Sequence, residues 1–208
     1  MEEMMRVIKS MRVIKSKSER KKEIMEAAKS VFLEKGFEKT TMEDIIAETS
    51  LSKGGFYHYY ASTTDILHDL MIEGIAYRIN IIKQTVGQAS AWDDESLVNM
   101  MVDKVLDESD LMSLYVIYLQ ASQRNQTLRD LFQELKKDNQ AMFEESFGTE
   151  SQKGMEYFYS DLLLHFMNTI MLGSEILGAR EVFRKNRPLF VAMMKLALDY
   201  VREGKMNT

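Results

Sequence analysis

The side chains best equipped for intermolecular chemistry stand together at residues 52–60, SKGGFYHYY. Lys53 is a compact cation, Gly54 and Gly55 are bare backbone, and Tyr57, His58 and Tyr59 add hydrogen-bonding groups on flat rings. Ser52 is a residue type that caps a helix start, which puts both glycines in the first turn of a helix running to about Tyr60. Each glycine costs about 1 kcal/mol there against alanine, so a weaker helix is tolerated where a partner must come close to the backbone. Phe56 and Tyr60 are four apart and can share a core-facing side, leaving Tyr57, His58 and Tyr59 to point elsewhere. One cation, several hydroxyls and a helix N-terminus suit phosphate oxygens and base edges, the chemistry of a helix laid in the DNA major groove.

Such a helix needs neighbours to hold its angle. Upstream, Thr40 with Glu43 and Thr41 with Asp44 both have capping-box spacing, so a short helix starts there. It carries Ile45, Ile46 and Ala47 inward and runs out at Thr49 and Ser50. Earlier still, Ile24, Ala27, Ala28, Val31 and Phe32 recur at the spacing of a one-faced helix over residues 18–35, with Gly36 as its C-terminal cap. Downstream, a long helix is expected from Ser62 and Thr63 to about Thr85, carrying Ile66, Leu70, Ile75, Ile79 and Ile82. Its start touches the helix-turn-helix and its length belongs to the remainder, so it is the natural lever between them.

Residues 40–67, TTMEDIIAETSLSKGGFYHYYASTTDIL, resemble the DNA-binding signature of the TetR (tetracycline repressor) family of transcriptional regulators. Members typically read Thr-x-x-x-Ile-Ala, a Gly-Val turn, Ser-x-Gly-x-Leu-Tyr-x-Tyr-Phe, then Ser-Lys-Glu before two leucines. Thr41, Ile45, Ser52, Gly54, Phe56, Tyr57, Tyr59, Tyr60, Ser62, Ile66 and Leu67 stand at the matching spacings. The resemblance covers about the first third of the chain, and implies DNA contacts from Thr41, Ser52, Lys53, Gly54, Gly55, Tyr57, His58, Tyr59 and Thr63. Lys53, Gly55 and Tyr59 would approach bases, while Thr41, Tyr57 and His58 position the helix on phosphates. Three departures matter. Ser50 replaces the turn glycine, Ile46 replaces a small alanine, and Thr63 replaces a phosphate-contacting lysine. At Thr63 only a hydroxyl and helix N-terminal amides remain for phosphate.

The totals agree with that reading. The chain has 208 residues, 45% of them hydrophobic, enough for one medium domain or two small ones. One proline and ten glycines favour long helices over a turn-rich β fold. No run reaches the ~18 apolar residues of a membrane span, and no secretory signal is visible, so the cytoplasm is the expected compartment. Without cysteine there is neither disulfide nor thiol redox sensing, and the three histidines lack metal-ligand spacing, so no metal or cofactor is expected. The net charge of −5 is unevenly distributed. Residues 1–60 carry 12 of the 27 basic and 10 of the 32 acidic side chains, leaving 15 basic against 22 acidic beyond. A basic end on an acidic body allows local phosphate contact.

Three segments are expected: a basic flexible tail at 1–17, a helix-turn-helix DNA-binding domain at 18–62, and a helical regulatory and dimerisation domain at 63–208. The tail repeats MRVIKS at 5–10 and 11–16, which reads either as a duplicated gene start or as an arm whose Arg6, Lys9, Arg12, Lys15 and Lys17 reach DNA. Beyond residue 90, helices are expected at 93–108, 111–122, 127–147, 150–179 and 188–203, the last with Pro188 in its first turn. The fold class is therefore all-α. Methionines and aromatics gather in this part. They read as an ordinary core or as the lining of an effector cavity, with Trp92, Tyr115, Tyr118, Phe158, Asp161 and Phe166 as candidate contacts. Asp161 beside the aromatics suggests a flat apolar or cationic effector between segments 62–85 and 150–179. Leu189, Met193, Leu196 and Tyr200 form a stripe on the final helix, and Gly173 allows close helix approach, so these residues are the expected homodimer interface.

No P-loop, nucleophile elbow, zinc-protease motif or dinucleotide fingerprint is present, which argues against catalysis. The sequence points to a sequence-specific DNA-binding regulator, a repressor released from a palindromic operator by a small apolar effector. A regulator without an effector, or an all-α interaction module that does not bind DNA, are the alternatives. The costly glycines and the aromatics of 52–60 argue against the module.

Overall fold

The computed structural model describes residues 15–86, 93–148, 157 and 160–206. Among them are ten α-helices and no strand: α1 Lys17–Lys35, α2 Met42–Ala47, α3 Lys53–Tyr57, α4 Thr63–Val86, α5 Asp94–Val105, α6 Asp110–Ser122, α7 Gln126–Phe147, α8 Asp161–Ile176, α9 Arg180–Lys185 and α10 Arg187–Met206. A 3-10 turn, Phe37–Lys39, links α1 to α2. No helix among the described residues is long and apolar enough to cross a membrane.

Side-chain caps set most helix starts. Ser16 and Glu19 close a reciprocal capping box on α1, and Thr41 and Asp44 close another on α2. Of the two spaced pairs, Thr41 with Asp44 is therefore the cap, while Thr40 is buried and donates its hydroxyl to the Gly36 carbonyl. Asp93, Ser109, Asn125 and Ser160 accept from backbone amides at the starts of α5, α6, α7 and α8, each cap contributing about 1 kcal/mol. Gly36 ends α1 with a φ of 76°, a conformation that favours glycine.

Four expectations change. Helix α1 begins at Lys17, so the tail boundary drawn at 17 falls within its start; residues 1–14, with Arg6, Lys9 and Arg12, lie outside the described residues. Helix α3 stops at Tyr57 rather than Tyr60, because the chain turns to bring Tyr60 under α4. Ala47, expected to face inward, is exposed at the end of the single-turn-and-a-half α2. The long segment expected at 150–179 contains α8 from Asp161 to Ile176, is broken at Gly178 (φ 61°), and is followed by the short α9.

Two apolar clusters hold the chain together. The first joins Ile24, Ala28 and Phe32 of α1 to Ile45, Phe56, Tyr60 and the start of α4, and it continues into Leu114 and Tyr118 of α6 and Leu128 of α7. Burying Phe56 completely contributes about 2–3 kcal/mol. The second joins α5, α8 and α10 through residues such as Leu97, Met101, Leu163, Met167 and Met194. Helices α4 and α6 supply residues to both clusters. The DNA-binding segment drawn at 18–62 is thus continuous with the body: its core closes only with α4, α6 and α7.

Candidate nucleic-acid interface

Helix α2 is anchored from behind. Thr41 Oγ1 accepts from the Asp44 amide at 3.2 Å, and the Asp44 carboxylate accepts from the Thr41 amide and hydroxyl at 2.9 and 2.8 Å. Lys35 Nζ reaches the same carboxylate at 2.8 Å. Lys35 first, then the Thr41 amide and hydroxyl, hold the Asp44 carboxyl far below the ordinary range. The Thr41 hydroxyl is therefore oriented by its own helix while the residue remains exposed.

The turn shows why Ser50 replaces a glycine. No described non-glycine residue has positive φ, so the turn is differently shaped rather than strained. Ser50 donates its amide and hydroxyl to Glu23 Oε1 at 2.8 and 2.6 Å. Arg20 donates to Ser50 Oγ at 2.7 Å and to Glu23 Oε2 at 2.8 Å. Glu23, absent from the sequence expectations, thus clamps α1 to the turn. The Ser50 hydroxyl, with help from its amide, Lys15 and Arg20, lowers the Glu23 carboxyl from 4.5 to about 2. A depressed folded-state pKa stabilises above the ordinary value, and that stability is lost as pH falls from about 4.5 through about 2. Glu23→Gln is expected to lower stability by about 2 kcal/mol at neutral pH, since charge-assisted hydrogen bonds are lost. In thermal melts the gap between the two proteins should close as pH falls through this window; a gap independent of pH would remove Glu23 from this role.

Helix α3 then presents its outer face. Ser52 Oγ accepts from the Gly55 amide at 3.3 Å. A Cβ at Gly54 would meet no atom within 4 Å, so nothing among the described residues requires a glycine there. At Gly55 a Cβ would stand 3.3 Å from Ser52 Oγ, so that glycine has an internal reason. Lys53 is exposed and rests on Glu43 of α2, Nζ to Oε1 2.7 Å, with its ammonium 6.0 Å from the centre of the Tyr57 ring. Tyr57 and His58 are exposed, Phe56 and Tyr60 are buried, and Tyr59 is half-buried against the first cluster. Tyr59 accordingly offers less free surface than the base-reading role implied for it. Thr63 is half-buried at the first position of α4, where the Ser62 hydroxyl accepts from the Asp65 amide at 3.2 Å.

A small polar knot ties this head to α4. Tyr60 donates its hydroxyl to Asp69 Oδ2 at 2.8 Å, and Lys21 of α1 meets the same oxygen at 2.6 Å. Burial, and then the Asp69 carboxylate, raise the Tyr60 phenol far above its ordinary value, so the bond persists at any working pH.

Further along α4 its inner face walls a cavity of about 160 Å³ between α4, α5, α6 and α7. Met71, Ile75, Ile79, Met112, Leu135 and Phe143 supply apolar surface, and Arg78, Lys104, Asp107, Lys136 and Asn139 supply polar groups. Of the expected effector contacts among the described residues only Tyr115 lines it, its hydroxyl donating to Asn168 Oδ1 at 3.1 Å. Tyr118 is buried in the first cluster and donates to the Leu128 carbonyl at 2.7 Å. Phe166 packs on the second cluster away from the cavity. Asp161 is exposed and pairs with Lys136 at 3.0 Å, so the carboxylate expected for a cationic effector does not line the cavity. Trp92 and Phe158 lie outside the described residues.

A third feature is apolar and outward-facing. Leu189, Leu196 and Tyr200 of α10 are 57%, 72% and 67% exposed, with Met193 half-buried between them. Leu162 and Ile176 of α8 are exposed as well, and Gly173 is half-buried on the same helix.

Similarity to known proteins includes the head and extends beyond it. The family model for bacterial regulatory proteins, tetR family, matches residues 24–70. The HTH-type transcriptional regulator YfiR of Bacillus subtilis is 32% identical over 142 residues, 67% of this chain and 67% of that protein. YerO, an HTH-type transcriptional regulator of the same organism, is 20% identical over 176 residues, 79% of this chain and 61% of its own length. Among solved structures, Salmonella enterica GusR superposes with a TM-score of 0.64 at 16% identity, covering 90% of this chain and 97% of that one. The fatty acid degradation regulator FadR from Bacillus halodurans gives 0.55 at 19% identity, covering 90% and 96%. At such identities the two structures share the fold with this chain.

Proposed function

The chain belongs to the TetR family of DNA-binding transcriptional regulators, and from that premise we propose a homodimeric repressor released from a palindromic operator by a small effector. The observation that carries the DNA-reading part is the outer face of α3. Gly54 is bare without any internal cause, and Lys53, Tyr57 and His58 surround it in solvent. Lys53 and Gly55 then read base edges, while Thr41, Tyr57, His58 and the N-terminus of α4 at Thr63 hold phosphates.

The exposed stripe of α10, with the outward residues of α8, supports pairing with a second copy, since a monomer rarely leaves so much contiguous apolar surface wet. Two heads carried by such a dimer fit a palindrome when their α3 helices stand about one DNA turn, ~34–36 Å, apart. Helix α4 supplies the switch. Its inner face lines the cavity, and Asp69, nearer its start, holds Tyr60 in the turn that follows the reading helix. An occupant that favours a different tilt of α4 moves the heads and lowers operator affinity by the same factor that operator lowers its own binding.

The reading is tested on operator fragments recovered from genomic DNA with the purified protein. Lys53→Ala is expected to cost ~1–3 kcal/mol on the recovered site and to relax its sequence preference, while Tyr57→Phe weakens recovered and random DNA alike. Equal losses on both DNAs for Lys53→Ala would take base reading away from this residue.

A further inference from the structure

The cavity beneath α4 has a defined sign of charge. Three basic side chains reach it: Arg78, Lys104 and Lys136. Arg78 pairs with Asp107, whose other oxygen is held by the Ser109 amide at 2.7 Å. Lys136 pairs with Asp161 from outside. Lys104 is half-buried on α5, and its ammonium has no carboxylate partner and no hydrogen bond among the described residues. The wall thus keeps one uncompensated positive charge beside an apolar hollow. An unpaired ammonium taken out of water is costly, and proteins ordinarily pair or expel it. Burial, then the neighbouring Arg78, bring the Lys104 pKa down from 10.5 to about 8, so the amine is still protonated at neutral pH.

We infer that this cavity binds small monocarboxylic acids, with the carboxylate on Lys104 and the apolar body along the Ile75–Ile79 face of α4. The inference rests on the proposed switch, whose effector class it names. Charge decides the head group. A single carboxylate balances the one unmatched cation and forms a charge-assisted hydrogen bond, whereas an amine adds repulsion and an alcohol leaves the charge unpaired. A phosphate monoester carries close to two charges and finds only one unmatched partner. Volume decides the body. A dry apolar hollow of about 150 Å³ accepts a benzene ring, so 160 Å³ fits one ring or a short acyl chain. Asn139 of α7 also lines the cavity and can supply a neutral donor.

Calorimetric titration of the full chain with phenylacetate and octanoate, against phenethyl alcohol, octylamine and phenyl phosphate, tests the inference. At least one acid is expected to bind about tenfold or more tightly than every non-carboxylate. Which acid does so separates an aromatic source from an acyl one. Lys104→Met and Lys104→Gln are both expected to lose that preference while keeping alcohol affinity within about threefold, and Lys104→Met without ligand should melt at a higher temperature than the parent. The inference is overturned if neither acid binds, if an alcohol, amine or phosphate equals the acids, or if both Lys104 variants keep acid affinity. Operator release, measured in parallel, separates this from the proposed switch. Acids that bind through Lys104 without altering operator affinity leave the ligand class standing and remove the switch. Release by a neutral compound, unchanged in the Lys104 variants, does the reverse.

Discussion

Leu189→Asp combined with Leu196→Asp is expected to yield a folded monomer that no longer holds operator DNA at working concentrations. Both side chains are more than half exposed in the single chain, so aspartate there leaves the buried side of α10, Phe190, Met194 and Leu198, undisturbed. Helix content and melting of the monomeric chain should therefore persist. In the proposed dimer the same positions meet their copies, and four buried carboxylates without partners would prevent association. The loss of operator affinity follows from linkage of the heads. Once one head of a dimer is bound, the second binds within the same molecule, which adds about 10²–10⁴ to the apparent affinity. Sedimentation of the parent and the variant, followed by operator titration of each, decides the matter. A monomeric parent at micromolar concentration, or a monomeric variant that binds operator normally, would refute the pairing.

Gly54→Ala should move folding and DNA binding in opposite directions. Within the chain the added methyl enters open space, and the first turn of α3 gains up to about 1 kcal/mol of helix propensity. Against DNA the same methyl stands where the backbone must come close, at an expected cost of ~1–3 kcal/mol, about tenfold or more in affinity. Gly55→Ala is the contrast, because its methyl presses on Ser52 Oγ at 3.3 Å and disturbs the cap first. A Gly54→Ala protein that melts higher and binds operator unchanged would mean that the bare backbone is not a contact surface.

Much of this architecture was legible because it is local. Capping pairs three residues apart, one-faced helices such as 24–32 and the glycine at 36 all write their signals within a turn or two. What escaped depends on contacts between distant positions. Glu23 and Ser50 are 27 residues apart, and neither has a periodic partner to announce the clamp. Tyr115 and Tyr118 are three apart, yet on a helix that spacing leaves about 60° between them, enough to send one to the cavity and the other into the first cluster. The outward position of Asp161 escaped for a related reason. Asp161 is near aromatics in sequence, but the first turn of α8 turns it outward, while Lys104 looks like any solvated lysine until the fold sets it on the wall of a cavity shared with α4 and α6. Helix α3 was read three residues too long because Phe56 and Tyr60 have helical spacing; Tyr60 reaches the core through a turn instead.

Away from its target the principal cation of α3 rests on a carboxylate of its own chain, Glu43. An exposed pair of this kind contributes little, so any phosphate can open it, but each opening sets one attraction against another. Glu43 also travels with the head and is itself repelled by the backbone it passes. For the proposed regulator the consequence is kinetic. A genome offers roughly 10⁶–10⁹ competing stretches, and a protein that grips each of them firmly spends its life between targets. A lysine with a resting place nearby lets go more readily, so sliding and hopping are smoother and the time lost on irrelevant sequence is shorter. Weak grip on the wrong DNA is then a property of the head itself, present before any base has been read.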